Sequence, residues 1–444
     1  MRLKSPLLYW LPLLLILILA VVACEGDPDE VADDDDVADE ADDEIADEPE
    51  PGTVRVMSAF TGDEADAFRE SFAAFEEDTG IEIDYEPSAE FEVVLPTRVE
   101  GGNPPDIALF PQTGLLMDMA EETDAIPLEE FMDIDALEDT MVAGFLDSTR
   151  DDDGNTFGLP MRLANKSLLW YPMPQFEEAG YEVPETQEEM IELEDQIKAD
   201  GGTPWCLGME SGDATGWVGT DWVEEYMLRL HDVEYYDDWV DGELPFDSPE
   251  VREAFEEFER VWEDEDNVLG GTDGMLAIPF GDSPNDMFQD EPDCWLHRQG
   301  NFITGFFLED VQENIDERVG VTYFPPFEGQ DAGVLAGGDF ALLVNDTDDA
   351  QQFMEYMAQD DFGEEWANVG GWLSPNVNFD DSAYPDETHR QMHEAAITAD
   401  VVRFDASDDM PGRVGTDAFW NGIVDWVGGR ASLEEALQTI DEAW

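Results

Sequence analysis

One nineteen-residue stretch, Pro204–Trp222, is dense in tryptophan, glycine and polar side chains. It contains Trp205, Trp217 and Trp222, together with four glycines, a cysteine and three acids. Its glycine content predicts a loop rather than a helix. A neutral polyhydroxy ligand requires an aromatic face beside hydrogen-bonding groups, and this stretch offers both. The stretch therefore predicts one wall of a carbohydrate site; the alternative is a glycine-rich surface loop whose tryptophans pack into the core.

The charge of the chain limits the ligands that it can bind. The sequence has 112 Asp and Glu against 18 Lys and Arg, a formal net charge of −94. This field excludes nucleic acid as a partner and disfavours anionic ligands such as sugar phosphates, because phosphate recognition requires clustered cations. Neutral or cationic ligands fit better. Acids occur in every segment, and salt screens their mutual repulsion, so we also predict a protein adapted to high salt.

Motifs of the common catalytic and metal sites are missing from the sequence. It has no P-loop and no H-E-x-x-H spacing, and its four histidines are scattered. Asp151–Asn155 resembles the start of a calcium loop, but the position that requires glutamate is occupied by Arg162. We therefore expect a turn there, no metal and no cofactor.

The elements that position these residues are predicted by hydrophobic periodicity. Strands alternate with helices, which predicts an α/β fold with a parallel sheet, and ligands bind such sheets at the carboxyl ends of the strands. Phe60–Glu64 and Phe110–Thr113 follow two of the strands and should meet at the mouth of a site. The predicted strands are Thr53–Ser58, Ile81–Tyr85, Asp106–Phe110 and Phe340–Val344, and the predicted helices are Ala65–Glu77, Pro184–Ala199, Asp221–His231, Ser248–Glu263, Asp348–Ala358, Phe419–Val427 and Leu433–Trp444.

The N-terminal segment predicts export. Residues 1–23 carry two cations and then an apolar run, as secretory signal peptides do, and Val21–Cys24 resembles the lipobox of bacterial lipoproteins. That resemblance implies lipidation of Cys24 and anchoring to the outer face of the cytoplasmic membrane. The alternative is an uncleaved signal-anchor helix. Residues 24–52 follow as an acidic tether, since the sixteen acids of Glu25–Glu50 cannot build a core.

Two cysteines remain once Cys24 is lipidated. Because an exported protein faces an oxidising compartment, Cys206 and Cys294 are predicted to form a disulfide. The bridge would attach the tryptophan-rich stretch to the segment that contains His297.

Several segments together resemble a known family. They are Thr61–Glu64, Arg98–Ile107, Ala164–Leu168, Phe176–Tyr181, Gly201–Cys206, Thr215–Trp217, Thr220–Trp222, Cys294–Arg298, Gly337–Asp339 and Arg403–Asp408. The chain is similar there to the extracellular solute-binding proteins of carbohydrate ABC transporters, and most similar to the α-glucoside-binding group. The similarity extends over nearly all of residues 54–444.

The resemblance implies an architecture and a role. It implies a two-lobed periplasmic-binding-protein type II fold, with lobe one at 53–162 plus 330–372, lobe two at 163–329 plus 373–444, and a hinge between them. A neutral sugar, an α-glucoside or another small oligosaccharide, would bind in the cleft and be delivered to the permease subunits of the transporter. A monomer without enzymatic activity is expected.

The expected sugar contacts combine this resemblance with side-chain chemistry. Trp217, Trp222 and Trp372 could stack on sugar rings, whereas Trp205 should pack behind its neighbouring cysteine. Acidic side chains could accept hydroxyl protons. Lys166 and Arg403 could donate to the sugar or pair with acids, and His297 could be a donor or a structural residue. The full set of predicted ligand contacts is Thr61, Glu64, Glu90, Lys166, Trp217, Asp221, Trp222, His297, Asp339, Trp372 and Arg403.

Two rival functions share these features. Paired carboxylates and tryptophans also build secreted glycoside hydrolases, but no pair can be singled out among so many acids. A surface carbohydrate sensor or adhesin could use the same fold without a transporter.

Overall fold

The strands form one mixed six-stranded sheet and one antiparallel three-stranded sheet in the computed structural model, which describes residues 52–151, 153–330, 333–399 and 401–444. The predicted signal peptide, Cys24 and the acidic tether lie outside the described residues. The strands are β1 Thr53–Ser58, β2 Glu82–Pro87, β3 Ile107–Phe110, β4 Gly158–Asn165, β5 Leu168–Pro172, β6 His297–Arg298, β7 Val319–Tyr323, β8 Val334–Leu343 and β9 Val402–Phe404.

Helices cover both sheets. They are α1 Gly62–Thr79, α2 Phe91–Glu100, α3 Thr113–Glu122, α4 Ile134–Thr140, α5 Met173–Ala179, α6 Gln187–Asp200, α7 Trp217–Leu230, α8 Val233–Val240, α9 Pro249–Trp262, α10 Gly271–Ala277, α11 Glu309–Gln312, α12 Ile315–Arg318, α13 Asp348–Met357, α14 Glu364–Val369, α15 Glu387–Ile397, α16 Ala406–Asp409, α17 Trp420–Val427 and α18 Leu433–Asp441. A π-helical turn, Arg413–Phe419, leads into α17.

The six-stranded sheet is parallel in one part only. β1 pairs in parallel with β2 and β3, as the alternation of strands and helices predicted. β8 then pairs antiparallel with β3 on one side and with β4 on the other, and β9 pairs in parallel with β8. The prediction of a parallel sheet was therefore wrong for the second half, because β8 arrives from far along the chain and runs against its neighbours.

Strand β8 contributes to two hydrophobic cores. All ten of its residues are buried. The first core surrounds the six-stranded sheet and includes Phe68, Phe110 and Leu342, and the second core includes Trp222, Phe255 and Trp426. Phe340–Leu343 of β8 pack in the first core, whereas Leu335 packs in the second. One strand therefore connects the two packed regions.

Helix boundaries follow the amphipathic pattern and the caps. Helix α1 buries Phe68, Phe72 and Phe75, which recur at helical spacing, and it ends at Gly80 in the left-handed conformation. Helix α6 begins after Thr186, whose hydroxyl accepts a hydrogen bond from the Glu189 amide at 3.2 Å. The predicted helices over 65–77, 184–199, 248–263, 348–358, 419–427 and 433–444 are confirmed within three residues at each boundary. Of the described helices, none is both long and apolar enough to cross a membrane.

Candidate functional site

A cavity of about 500 Å³ opens at the carboxyl ends of the parallel strands. The segments that follow β1, β2 and β3 form one side of it, as expected for this type of sheet. The residues that face them come from the loops before α7 and after α10, from the first residues of α7 and α17, and from the turn that contains Phe302 and Phe306. The lining residues with polar side chains are Thr61, Glu64, Glu90, Glu92, Gln112, Arg162, Lys166, Glu210, Ser211, Asp213, Asp339 and Asp408, and the aromatic ones are Phe60, Trp217, Phe280, Phe302, Phe306 and Trp420.

A three-residue ionic network lies against the first core at the cavity. The Arg162 guanidinium donates from Nη1 to Glu64 Oε1 at 2.8 Å and from Nε to Asp339 Oδ2. Burial raises the pKa of both carboxyl groups, and Arg162 partly offsets this increase. Because Arg162 is occupied by two acids, it is not a free cation for an anionic ligand.

Asp339 retains an unused acceptor. Its Oδ1 atom is buried and has no hydrogen-bond partner among the described residues. An unpaired buried acceptor is costly, and a ligand hydroxyl that donates to it would remove that cost. Because Asp339 also lines the cavity, this acceptor lies close to the space that a polyhydroxy ligand would occupy.

Lys166 is held by three carboxylates. Its Nζ lies 3.2 Å from Asp221 Oδ1, 2.5 Å from Asp405 Oδ2 and 3.4 Å from Asp408 Oδ2. The ammonium also lies 5.4 Å from the centroid of the Trp217 ring, within cation–π range. Since Lys166 has three donors, these acids occupy them. The structure therefore matches the alternative in which Lys166 pairs with acids.

Aromatic rings form the wall opposite the acids. Trp217 is half-buried, and its ring centroid lies 5.1 Å from that of Phe280 and 6.0 Å from that of Phe302. Phe280 in turn packs on Phe306 at 5.0 Å. These contacts hold the Trp217 indole from behind and leave it available to the cavity, which is the arrangement that stacking on a sugar ring requires.

Gly216 explains how Trp217 reaches this position. It has a φ of 130°, and a Cβ there would lie 2.5 Å from the backbone oxygen of Trp420. Glycine therefore allows the start of α7 to approach the start of α17 closely, so that Trp217 and Trp420 both reach the cavity. The helix begins at Trp217, four residues before the predicted start. The prediction of a loop was wrong for Trp217–Thr220.

Six of the eleven predicted contact residues line the cavity, namely Thr61, Glu64, Glu90, Lys166, Trp217 and Asp339. Their roles as ligand contacts stay a prediction. The other five lie elsewhere, for physical reasons that differ among them.

The expected stacking of Trp222 and Trp372 is corrected by their burial. Trp222 is fully buried in the second core, with its ring 4.9 Å from Trp205 and 5.7 Å from Phe258. Trp372 is fully buried in the first core, 5.4 Å from Phe379. Neither ring lines the cavity, because each is enclosed by other aromatic side chains.

The three remaining polar residues serve the protein itself. Asp221 is fully buried; burial raises its pKa to about 8 despite the nearby Lys166. His297 Nδ1 lies 2.7 Å from the Cys206 carbonyl oxygen, and burial lowers the pKa of His297 to about 4, so the ring is neutral. Arg403 Nη2 donates to Asp237 at 2.9 Å. None of the three lines the cavity.

The predicted disulfide is confirmed. Cys206 and Cys294 are bonded, with their Cα atoms 5.3 Å apart. Trp205 is buried beside Cys206, as expected, and its Nε1 donates to Glu194 at 2.9 Å. The bridge joins the segment that precedes α7 to the segment that leads into β6.

Arg162, Trp420 and three phenylalanines are among the lining residues that sequence reasoning missed. Arg162 is one of only 18 Lys and Arg in the chain, and that rarity was the available signal. Phe280, Phe302 and Phe306 stand in glycine-containing segments, but nothing in their spacing distinguishes a cavity wall from a core.

Comparison with known proteins gives a consistent family match. Residues 61–363 match the profile of the family described as bacterial extracellular solute-binding protein. The osmoprotective compounds-binding protein GgtB of Synechocystis sp. is 42% identical over 392 residues, 88% of this chain and 92% of the relative. The alpha-glucosides-binding periplasmic protein AglE of Rhizobium meliloti is 36% identical over 400 residues, 88% of this chain and 87% of the relative.

Solved structures share the fold at low sequence identity. The maltose-bound MalE3 of T. maritima aligns with a TM-score of 0.69 and 16% identity, over 88% of this chain and 98% of that one. The likeness shows the two-lobed α/β fold that the sequence predicted, with the cavity at the carboxyl ends of the parallel strands.

Proposed function

Because this chain belongs to the family of bacterial extracellular solute-binding proteins, whose members bind sugars and work with ABC transporter permeases, we propose that its cavity binds an α-glucoside or another small neutral glycoside. One observation carries the proposal: the half-buried Trp217 faces a cavity that Asp339 and Glu64 also line. An aromatic face and acceptors for hydroxyl protons are the two elements of carbohydrate recognition.

Charge supports a neutral ligand. The cations at the cavity, Arg162 and Lys166, are both bonded to acids, and the remaining charged lining residues are acidic. An anionic glycoside would meet an excess of carboxylates and no free cation, whereas neutral hydroxyls can donate to them. The volume of about 500 Å³ falls in the usual range for small-molecule sites and is suited to a ligand of few sugar rings.

The names of the relatives support two overlapping ligand classes. One relative binds alpha-glucosides and the other binds osmoprotective compounds. A small neutral glycoside that also protects against osmotic stress would satisfy both. It would also suit the adaptation to high salt that the net charge of −94 predicts.

The protein would deliver its bound ligand to the permease of an ABC transporter. The lobes 53–162 plus 330–372 and 163–329 plus 373–444 would close around the ligand by a hinge motion. Lipidation of Cys24 would hold the extracytoplasmic protein at the membrane, with residues 24–52 as a tether. The protein would act as a monomer without catalysis.

Calorimetric titration of the purified chain tests the ligand class. We expect at least one of maltose, trehalose, sucrose and palatinose to bind, and glucose 6-phosphate not to bind. Failure of all four would refute the α-glucoside assignment. Sustained release of glucose from a bound disaccharide would show a hydrolase instead.

A separate fractionation experiment tests the anchor. The full chain should partition with membranes, and a Cys24→Ser variant should be released from them. Equal membrane retention of the two proteins would refute lipidation and would favour an uncleaved signal anchor.

A further inference from the structure

Three carboxylates converge in the interior behind Lys166. Asp221 and Glu224 stand one turn apart on α7, and Asp405 precedes α16. All three side chains are completely buried. One carboxylate oxygen from each lies within 4.8 Å of the corresponding oxygens of the other two. We call these three residues the interior triad.

The charges around the interior triad do not balance. Five buried carboxylates belong to this region: the triad, Glu225 and Asp408. The buried cations that contact them, among the described residues, are Lys166, Arg229 and Arg298. If all five acids are ionised, two negative charges remain uncompensated in a water-excluded interior, so either protons or a bound cation must neutralise them. Burial raises the pKa of Asp221, Glu224 and Asp408, which reflects the cost of this excess charge.

Two oxygens of the interior triad also lack hydrogen bonds. Glu224 accepts from the Ser407 amide at 3.0 Å with Oε1, but its Oε2 is buried without a hydrogen-bond partner. Asp221 Oδ2 is likewise without one, and its nearest cation is Arg298 Nη1 at 3.5 Å. Buried carboxylate oxygens are normally satisfied by protein, water or an ion. Glu224 Oε2 therefore has no partner from the protein and points to a ligand, whereas Asp221 Oδ2 has only the Arg298 guanidinium nearby.

We propose that Asp221, Glu224 and Asp405 bind a calcium ion. Carboxylate oxygens are hard ligands, and Ca²⁺ holds them at about 2.3–2.6 Å, so that two ligands of one ion lie up to about 5 Å apart. The separation of the triad oxygens fits this limit. A divalent ion would also neutralise the two excess negative charges of the buried acids.

Other cations fit less well. Mg²⁺ demands near-ideal octahedral geometry at about 2.0–2.1 Å, whereas Ca²⁺ accepts a flexible arrangement and can take both oxygens of one carboxylate, which a site of three carboxylates favours. Na⁺ would compensate only one of the two excess charges. Sequence reasoning predicted no metal site, because no metal-binding motif is present. The triad has no motif spacing either, since two of its acids come from α7 and the third from a distant segment.

The site would stabilise the wall of the cavity from behind. Lys166 bridges Asp221 and Asp405, and Lys166 also lines the cavity. Helix α7, which supplies two of the ligands, begins with Trp217. A bound ion would therefore tie α7 to α16 and hold both Lys166 and Trp217 in place. This inference does not depend on which sugar binds, or on whether one does.

Calcium binding by the full chain tests the proposal. After dialysis against a chelator, the protein would be titrated with CaCl₂ in 2 M NaCl, which screens nonspecific binding to surface acids. We expect one saturable site per chain and a Ca²⁺-dependent rise in the melting temperature. The variant Glu224→Gln should lose both effects, and Glu256→Gln, which alters an exposed acid on α9, should keep them.

A second readout covers the case in which Glu224→Gln fails to fold. Trp420 Nε1 donates to Ser407 Oγ at 3.2 Å, and that hydroxyl donates to Asp405 Oδ1 at 3.0 Å, so an ion bound by the triad would lie near the Trp420 indole. Terbium bound in place of calcium should therefore luminesce on tryptophan excitation. Calcium should quench this signal, and Trp420→Phe should weaken it. The proposal is overturned if the wild-type chain shows no saturable site at high salt, or if the folded Glu224→Gln variant binds as tightly as the wild type.

Discussion

Replacing Trp217 by alanine tests the proposed sugar site most directly. A fully enclosed aromatic side chain buries about 150–250 Å². One side of Trp217 is already packed on Phe280 and Phe302, so ~100 Å² remains for a ligand. At about 25 cal/mol per Å², that area contributes ~2.5 kcal/mol to binding. Trp217→Ala should therefore weaken the affinity by about 50- to 100-fold.

Calorimetric titration with the best ligand of the panel would measure this loss. Trp217→Phe should recover part of the affinity, because a smaller ring still offers a face. Trp444→Ala removes a tryptophan that is 38% exposed and outside the cavity, and it should leave the dissociation constant unchanged. A folded Trp217→Ala variant with wild-type affinity would refute the stacking role of this residue.

Four further predictions concern stability. Replacing Cys206 and Cys294 by serine should lower the free energy of unfolding, measured in urea, by about 4–5 kcal/mol, because the bridge closes a loop of sequence separation 88. Lys166→Met should cost about 3–5 kcal/mol at pH 7, since it leaves buried acids unpaired; an unchanged urea midpoint would contradict this. The pKa of His297 falls from 6.5 to about 4 on burial, so only the unfolded chain gains a proton between those values. The contribution of His297 to the free energy of unfolding is complete above pH 6.5 and falls by up to about 3 kcal/mol by pH 4. This loss should be missing when the free energy of unfolding of His297→Gln is measured against pH. Finally, the melting temperature should rise between 0.1 and 2 M NaCl, and a flat dependence would refute salt adaptation.

Much of the fold could be predicted because local patterns determine it. Helix α1 was predictable from three phenylalanines at helical spacing, and α9 from a buried stripe that includes Phe255 and Phe258. The antiparallel pairing of β8 could not be predicted, because β8 pairs with strands far away in the sequence. The residue pattern of a strand specifies neither its partner nor its direction.

In the site, too, the sequence pattern does not show which way a single side chain points or which residue it meets. Trp217 and Trp222 look equivalent in sequence, but they are five residues apart on α7 and therefore point in directions about 140° apart. One faces the cavity and the other the core. Similarly, Arg162 and Asp339 are paired residues on β4 and β8, and only the register of the sheet shows that they meet.

The position of β8 also determines when the sheet can be completed during folding. β3 and β4 do not pair with each other, since β8 lies between them. Until residues 334–343 are in place, each of those strands has an open edge, and the two cores lack the strand that they share. Long-range insertion of this kind is slow and leaves edges that favour aggregation. Repulsion between the strongly negative chains would limit aggregation of molecules in which β8 has not yet inserted. We therefore expect the amides of β8 to be the last to gain protection from hydrogen exchange in refolding.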